Sequence, residues 1–337
     1  MAYRKKSKKN DPSYKKQKKS GFTPANRFLR YQVTSSTTPG AETSHYFDLA
    51  RDLSAVNRRL YRQGKVYQIA NVSITSRNTV NGLASFSTAA DTWVTRAAWN
   101  RGFLMHDEMN RKVLDMPGSM TRKGRWNDYK VYLSDDHRTS ANLPRPRDNG
   151  NNLAGTGEWV YSTYQSPDGS PTADEFTSHI HGDHSGSAGS WNSISLIKSY
   201  GEARASVQVD TPLVDSEGSD DPLLNLFDYG TEIDEIAHDL GNDGDNPPYK
   251  VNQGGSNATI GEHYPGSESN LPKPMVNRLV GIGMQGGTSA PTVMVPGFTA
   301  IAGLIELELQ SDAPNDTFDI LIEIAPGGYK GVAAFDI

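Results

Sequence analysis

The chain has 337 residues, 35 % hydrophobic and 22 % charged, with 32 glycines, 19 prolines, no cysteine and a formal net charge of −5. The lack of cysteine excludes disulfides and thiolate metal sites, and no apolar run approaches the roughly 20 residues a membrane span needs. Abundant glycine and proline with so little apolar content suit many short strands joined by long loops better than a helical protein, and the length allows one large domain or two smaller ones.

The charge is split sharply along the chain. Residues 1–20, "MAYRKKSKKNDPSYKKQKKS", hold nine basic side chains (Arg4, Lys5, Lys6, Lys8, Lys9, Lys15, Lys16, Lys18 and Lys19) against Asp11 alone, a net of +8. The remaining 25 basic and 38 acidic residues leave the body at −13. With almost nothing apolar to bury and charges that repel, residues 1–24 read as a disordered basic arm. No apolar segment follows it, so it does not read as a secretory signal. Its natural partner is a polyanion, because each neutralised phosphate releases a counterion. A solubilising tail or a nuclear-import signal is the plainer alternative, although the charge exceeds what import requires.

After the arm, "NRFLRYQVTSS" (27–36) reads as a strand. "HYFDLARDLSAVNRRLYRQG" (45–64) has the clearest helical period, with Leu49, Leu53, Val56 and Leu60 on one stripe, Arg51, Arg58 and Arg62 on another, and Gly64 as the stop. "KVYQIANVSIT" (65–75) predicts a strand with Ala70, Val72 and Ile74 on one side and Asn71, Ser73 and Thr75 on the other. A second helix is expected over about 90–113, and "WNDYKVYLS" (126–134) is strand-like. From about 135 to 190 Ser, Asp, Asn, Gly and Pro dominate, which predicts a surface excursion rather than core, with one strand at "EWVYSTYQ" (158–165). Residues 191–209 return to strand or mixed character, and 210–250 form acidic loops. Three strands close the chain: 277–284, 300–310 and 316–326. In the last two, Ile305, Leu307 and Leu309 alternate with Glu306 and Glu308, and Phe318, Ile320, Ile322 and Ile324 alternate with Asp319, Leu321 and Glu323. That period of two marks antiparallel strands with one buried face.

Several motifs suggest chemistry. "HIHGDH" (179–184) matches the HxHxDH pattern of metallo-β-lactamase-like hydrolases, in which imidazoles and a carboxylate hold two zinc ions. The residues ahead of it, "DGSPTADEF", are polar and contain Pro171 rather than forming an apolar strand. His263 would serve as a later ligand, but no histidine follows it for the second metal. A polar surface loop is therefore favoured, with an opportunistic transition-metal site on His179, His181, Asp183 and His184 as the alternative. "GIGMQG" (281–286) has dinucleotide-fingerprint spacing, but Pro291 and Pro296 follow where a helix must open. The acidic 210–250 stretch lacks EF-hand spacing and reads as solvated loops, the alternative being calcium held between subunits. With no cysteine nucleophile and no G-x-S-x-G elbow, the sequence points away from an enzyme and to no cofactor.

The basic arm running directly into strands, together with "FDLARDLSAVNRRLYRQGKVYQIANVSIT" (47–75) and the terminal "DTFDILIEIAPGGYKGVAAFDI", resembles the capsid proteins of small circular single-stranded DNA viruses of eukaryotes, the bacilladnavirus-like group in particular. The resemblance implies a mainly β fold: a single viral jelly roll of two antiparallel sheets over 25–337, with a few helices and long loop insertions, assembled into an icosahedral shell. It implies that the arm lines the interior and touches a single-stranded DNA genome without sequence preference. Arg58, Arg59 and Arg62 become inner-surface or interface residues, 135–190 and 210–250 become candidates for exterior loops, and a host surface receptor is left unidentified. It further implies a place in the virion, with assembly in the host nucleus and no membrane association. An arm of +8 repeated over sixty or one hundred and eighty subunits offsets about 500 or about 1,400 phosphates. Two other functions compete with the capsid: a dinuclear zinc hydrolase on the 179–184 stretch, and a cellular nucleic-acid-binding β-sandwich with a basic tail.

Overall fold

A computed structural model describes residues 24–77, 81–115, 128–166, 174–187, 190–205, 274–283 and 291–337. The arm residues Arg4 to Lys19, the acidic 210–250 stretch and His263 lie outside them. In chain order the first elements are β1 (Phe28–Thr34), β2 (Glu42–Asp48), α1 (Leu49–Asn57), β3 (Lys65–Ser76) and β4 (Gly82–Thr88). An insertion follows, with α2 (Trp93–Leu114), α3 (Asp135–Thr139), β5 (Thr163–Ser166), β6 (Asp174–His179), β7 (Ser185–Ser187), β8 (Ser190–Ser195) and α4 (Leu196–Ala205). The chain closes with β9 (Met275–Ile282), β10 (Thr292–Pro296), β11 (Thr299–Ile301), β12 (Leu304–Ser311), β13 (Thr317–Ile324), β14 (Pro326–Gly327), β15 (Gly331–Val332) and β16 (Ala334–Asp336).

Two antiparallel sheets carry the framework, one in the order β1-β13-β3-β10 and the other β2-β12-β4-β9. Numbered one to eight along the chain, these strands lie 1-8-3-6 in one sheet and 2-7-4-5 in the other. The strands are therefore partnered first with last, second with seventh, and third with sixth or fourth with fifth, as in one long hairpin rolled around a barrel axis. This is a jelly roll, mainly β with few helices. Its core holds Leu29, Tyr31, Phe47, Val72, Ile74, Phe86, Ile305, Leu307, Leu309, Phe318, Ile320 and Ile322, contributed by β1 to β4, β12 and β13 and packed between the sheets.

Strand β3 departs from simple alternation. Glu323 pairs with Asn71 but Ile324 pairs with Ile69, so Ala70 is an extra, bulged residue. The bulge exposes Ala70, predicted to share a side with Val72 and Ile74, and turns Ile69 into the core instead. Gly297 packs on this bulge: a Cβ there would lie 2.3 Å from the Ile69 carbonyl and 2.5 Å from that of Ala70, so only glycine fits.

The predicted helix over 45–64 is shorter than its apolar period. Residues 45–48 complete β2, and α1 begins where the Asp48 side chain accepts the Arg51 N–H. It ends at Arg58, which takes φ 50°, so Leu60 falls outside the helix and is 46 % exposed. Arg51 is also not on a solvated face: it is buried and ion-paired to Asp52 at 2.8 Å.

Among its described residues the 135–190 segment is surface only in part: 147–160 are exposed or half-buried, but others are buried. It supplies His137, Tyr164, Ile180 and His181 to the interior, and β5, β6, β8 and β7 form their own sheet in that order, with β6 and β8 parallel. Together with α2, whose predicted span holds, it builds a second apolar cluster against one end of the sandwich. Trp99, Tyr129, Val131 and Leu133 from the insertion meet Tyr46, Val66, Ile301 and Leu304 of the framework there. This cover explains Glu306, which alternation places outward but which is buried, accepting the Tyr46 hydroxyl at 2.8 Å. The predicted strand over 126–134 makes only an isolated bridge, Tyr132 to His179, among its described residues. Of 158–165 only the end enters β5, and 191–209 begins as β8 but continues as α4. No helix among the described residues is long and apolar enough to cross a membrane.

Candidate nucleic-acid interface

The described chain begins at Pro24, and this entry point is fastened to the C-terminal end of α1. Asn26 donates its N–H to Asn57 Oδ1 at 2.7 Å, Asn57 Nδ2 donates to the Asn26 carbonyl at 3.0 Å, and Arg59 Nη1 donates to the Pro24 carbonyl at 3.1 Å. The root of the basic arm therefore sits beside Arg58 and Arg59, on the turn that leads to Arg62. A helix end in the left-handed region usually carries glycine, since a side chain there costs on the order of 1 kcal/mol. Here Arg58 occupies it, exposed and without an ion pair or hydrogen bond among the described residues. Arg62 is largely exposed and 3.9 Å from Asp128, a separation that contributes little.

A further cation joins them from the other end of the chain. Lys330, also left-handed at φ 51°, donates to the Leu60 carbonyl and lies 5.7 and 5.5 Å from the ring centroids of Tyr61 and Tyr329. Burial lowers its ammonium pKa, Arg62 lowers it further and Asp128 opposes the shift, as expected in a cationic cluster held by one carboxylate. Sequence reading missed Lys330 because about 270 residues separate it from Leu60. Its only local signal is a lysine after an aromatic in the "GGYKG" turn. Exposed arginines next to a half-buried lysine on tyrosine rings suit a phosphate backbone and carry no base-reading geometry of their own.

The ground behind this patch is a buried polar network. Asp48 is fully buried and accepts Gln63 Nε2 at 2.8 Å, Trp159 Nε1 at 3.1 Å and the Tyr161 hydroxyl at 3.2 Å besides the Arg51 N–H. Asp52 accepts Arg51 Nε at 2.8 Å and the Tyr31 hydroxyl at 2.7 Å, while Arg51 Nη2 donates to the Pro144 carbonyl at 2.8 Å. Gln63 Oε1 takes the Val131 N–H at 2.7 Å. Burial raises both carboxyl pKa values, Asp52 to about 6, against the lowering pull of Arg51. These contacts tie α1 and the arginine turn to β1 and to the insertion.

The HIHGDH stretch takes a different role. A strand does end at its first histidine, because β6 runs to His179, although apart from Phe176 its residues are polar. The ring nitrogens nevertheless turn to separate partners. His179 Nδ1 meets Ser193 Oγ at 2.7 Å and Nε2 the Asp183 carbonyl at 2.9 Å. His184 Nδ1 accepts the Ser195 N–H at 3.0 Å, and the Asp183 carboxylate pairs with Lys198 at 3.0 Å. His181 is buried with both ring nitrogens unpartnered. Among the described residues no three His, Asp or Glu side chains converge as a metal site. Burial lowers the pKa of His179 and His181 to about 4 and of His137 to about 3. In the GIGMQG stretch, Gly281 lies within β9 rather than at a helix start.

Against known protein families, curated proteins and solved structures, the chain finds no match.

Proposed function

We propose that this chain is a structural subunit that assembles into an icosahedral viral shell and packages a single-stranded nucleic acid through its basic N-terminal arm. The observation that carries the reading is the rooting of a +8 arm at a cationic turn of a jelly roll. The arm leaves the fold beside Arg58 and Arg59, on the turn that leads to Arg62 and meets Lys330, so its charge continues onto the body instead of ending at the sandwich. An acidic body of −13 repels stray nucleic acid elsewhere and favours contact at this one face. The resemblance to capsids of circular single-stranded DNA viruses supports DNA as the cargo, the virion as the location and assembly in the host nucleus. On this reading the protein is not an enzyme, and HIHGDH is part of the insertion's structural core.

Removing residues 1–20 tests the division of labour. The truncated protein is expected to form the same particles as the full chain while protecting at least about tenfold less nucleic acid from nuclease, since the phosphate-neutralising charge is gone. Particles from truncated and full-length protein with equal protected cargo, read by absorbance at 260 and 280 nm, would contradict the arm's role.

A further inference from the structure

Beside the arm root, a groove of about 730 Å³ opens between α1 and the 146–159 segment of the insertion. Pockets for small ligands span roughly 300–1,000 Å³. One wall presents Phe28, Arg58 and Arg59, and the facing wall presents Arg147, Glu158 and Trp159. We propose that this groove binds a single nucleotide unit of an unpaired strand, a defined site in the folded body in addition to the diffuse contacts of the arm. The inference rests on the packaging reading and sharpens it.

The Arg58 and Arg147 side chains both line the groove, and Arg58 has no partner among the described residues. Arg147 spends Nη1 on the Asn151 carbonyl, and its Nε is buried, out of reach of a ligand. The planar guanidinium of Arg58 matches a phosphate oxygen pair. Phe28 is 47 % exposed with the Arg27 guanidinium 5.6 Å from its ring centroid, an aromatic platform of the kind on which bases stack. Glu158 and Asp148 give the insertion wall a negative component. A carboxylate repels inorganic phosphate but accepts hydrogen bonds from the exocyclic amines of bases. The groove therefore suits a phosphate joined to a base better than a free anion. A duplex keeps its bases stacked internally and offers no face to Phe28, which favours an unpaired strand.

The strain at Arg58 supplies a clean test. In Arg58→Gly the left-handed backbone is retained at lower cost while the guanidinium is lost, so folding is expected to be unimpaired. Full-length protein would be photo-crosslinked to a short single-stranded oligonucleotide carrying a photoreactive base, and the attached peptides mapped by mass spectrometry. Crosslinks are expected on the peptides containing Phe28 and Trp159 as well as on residues 1–20. Arg58→Gly should reduce the groove crosslinks about tenfold, the loss of one or two charge-assisted hydrogen bonds, and leave those of the arm unchanged. Crosslinks confined to residues 1–20, or groove crosslinks equal in Arg58→Gly, would overturn the proposal. Nuclease-protected particles without groove crosslinks would remove the groove site and leave the shell reading standing. Groove crosslinks on a protein that forms no particles would do the reverse.

Discussion

Replacing Asp48 by alanine is expected to destabilise the protein by roughly 4 kcal/mol or more. The carboxylate is the N-cap of α1, a role worth about 1 kcal/mol by itself. It is also the common acceptor for Gln63, Trp159 and Tyr161, and truncation leaves these donors buried with nothing to bond. Each unmet buried donor costs about 1–3 kcal/mol, and local relaxation will recover part of that. The loss extends to Arg51, whose charge Asp48 helps to balance. Asp48→Asn keeps one acceptor oxygen and the size of the side chain, and is expected to cost distinctly less. Chemical unfolding followed by tryptophan fluorescence reads both variants, because Trp159 bonds Asp48 directly. A change below about 1 kcal/mol for Asp48→Ala would show that the network does not hold the insertion to the sandwich.

Acid should loosen the same junction. His137, His179 and His181 are buried as neutral rings, with pKa values near 3, 4 and 4, while an unfolded chain protonates them at about 6.5. Below that value the unfolded state takes up protons that the folded state refuses. The stability these residues contribute is thus complete above about pH 6.5 and is lost as the pH falls toward 4. His45 and His106 shift in the same direction. Asp52 opposes them: its carboxyl is raised to about 6, so the folded state binds that proton first and gains stability as the pH falls between about 6 and 4. Asp48 is raised in the same sense. Each histidine is worth on the order of 3 kcal/mol once fully mismatched, so three outweigh the carboxylates. The melting temperature is expected to drop by at least about 10 °C between pH 7 and pH 4.5. His181→Leu removes an unpartnered ring from the interior and should reduce that drop by about a third. A melting temperature that stays level over this range, or a slope unaltered in His181→Leu, would contradict the assignment.

Much of the sandwich was legible from residue patterns. The alternation of β12 and β13 announced strands with one buried face, and Phe318, Ile320, Ile322 and Ile324 are indeed fully buried. What misled was context supplied from far along the chain. Glu306 obeys the period of two and is still buried, because the insertion covers the other face of its sheet. The 135–190 segment has the composition of a loop, yet several of its rings pack inside with polar ends that find partners, such as Tyr164 on the Gly102 carbonyl and His179 on Ser193. The period of the first helix overran its true end because Arg58 turns left-handed without the glycine that would have marked the stop. At the candidate interface, Arg58, Arg59 and Arg62 stood out as a run. Lys330 and Arg147 did not, since only folding brings the C-terminal turn and the insertion to α1.

The shell reading is tested most directly by electron microscopy of the purified full-length protein after nuclease treatment, with absorbance at 260 and 280 nm on the same sample. Uniform isometric particles that retain protected nucleic acid are the predicted result. A homogeneous monomer free of nucleic acid, under conditions where the jelly roll is folded, would contradict it.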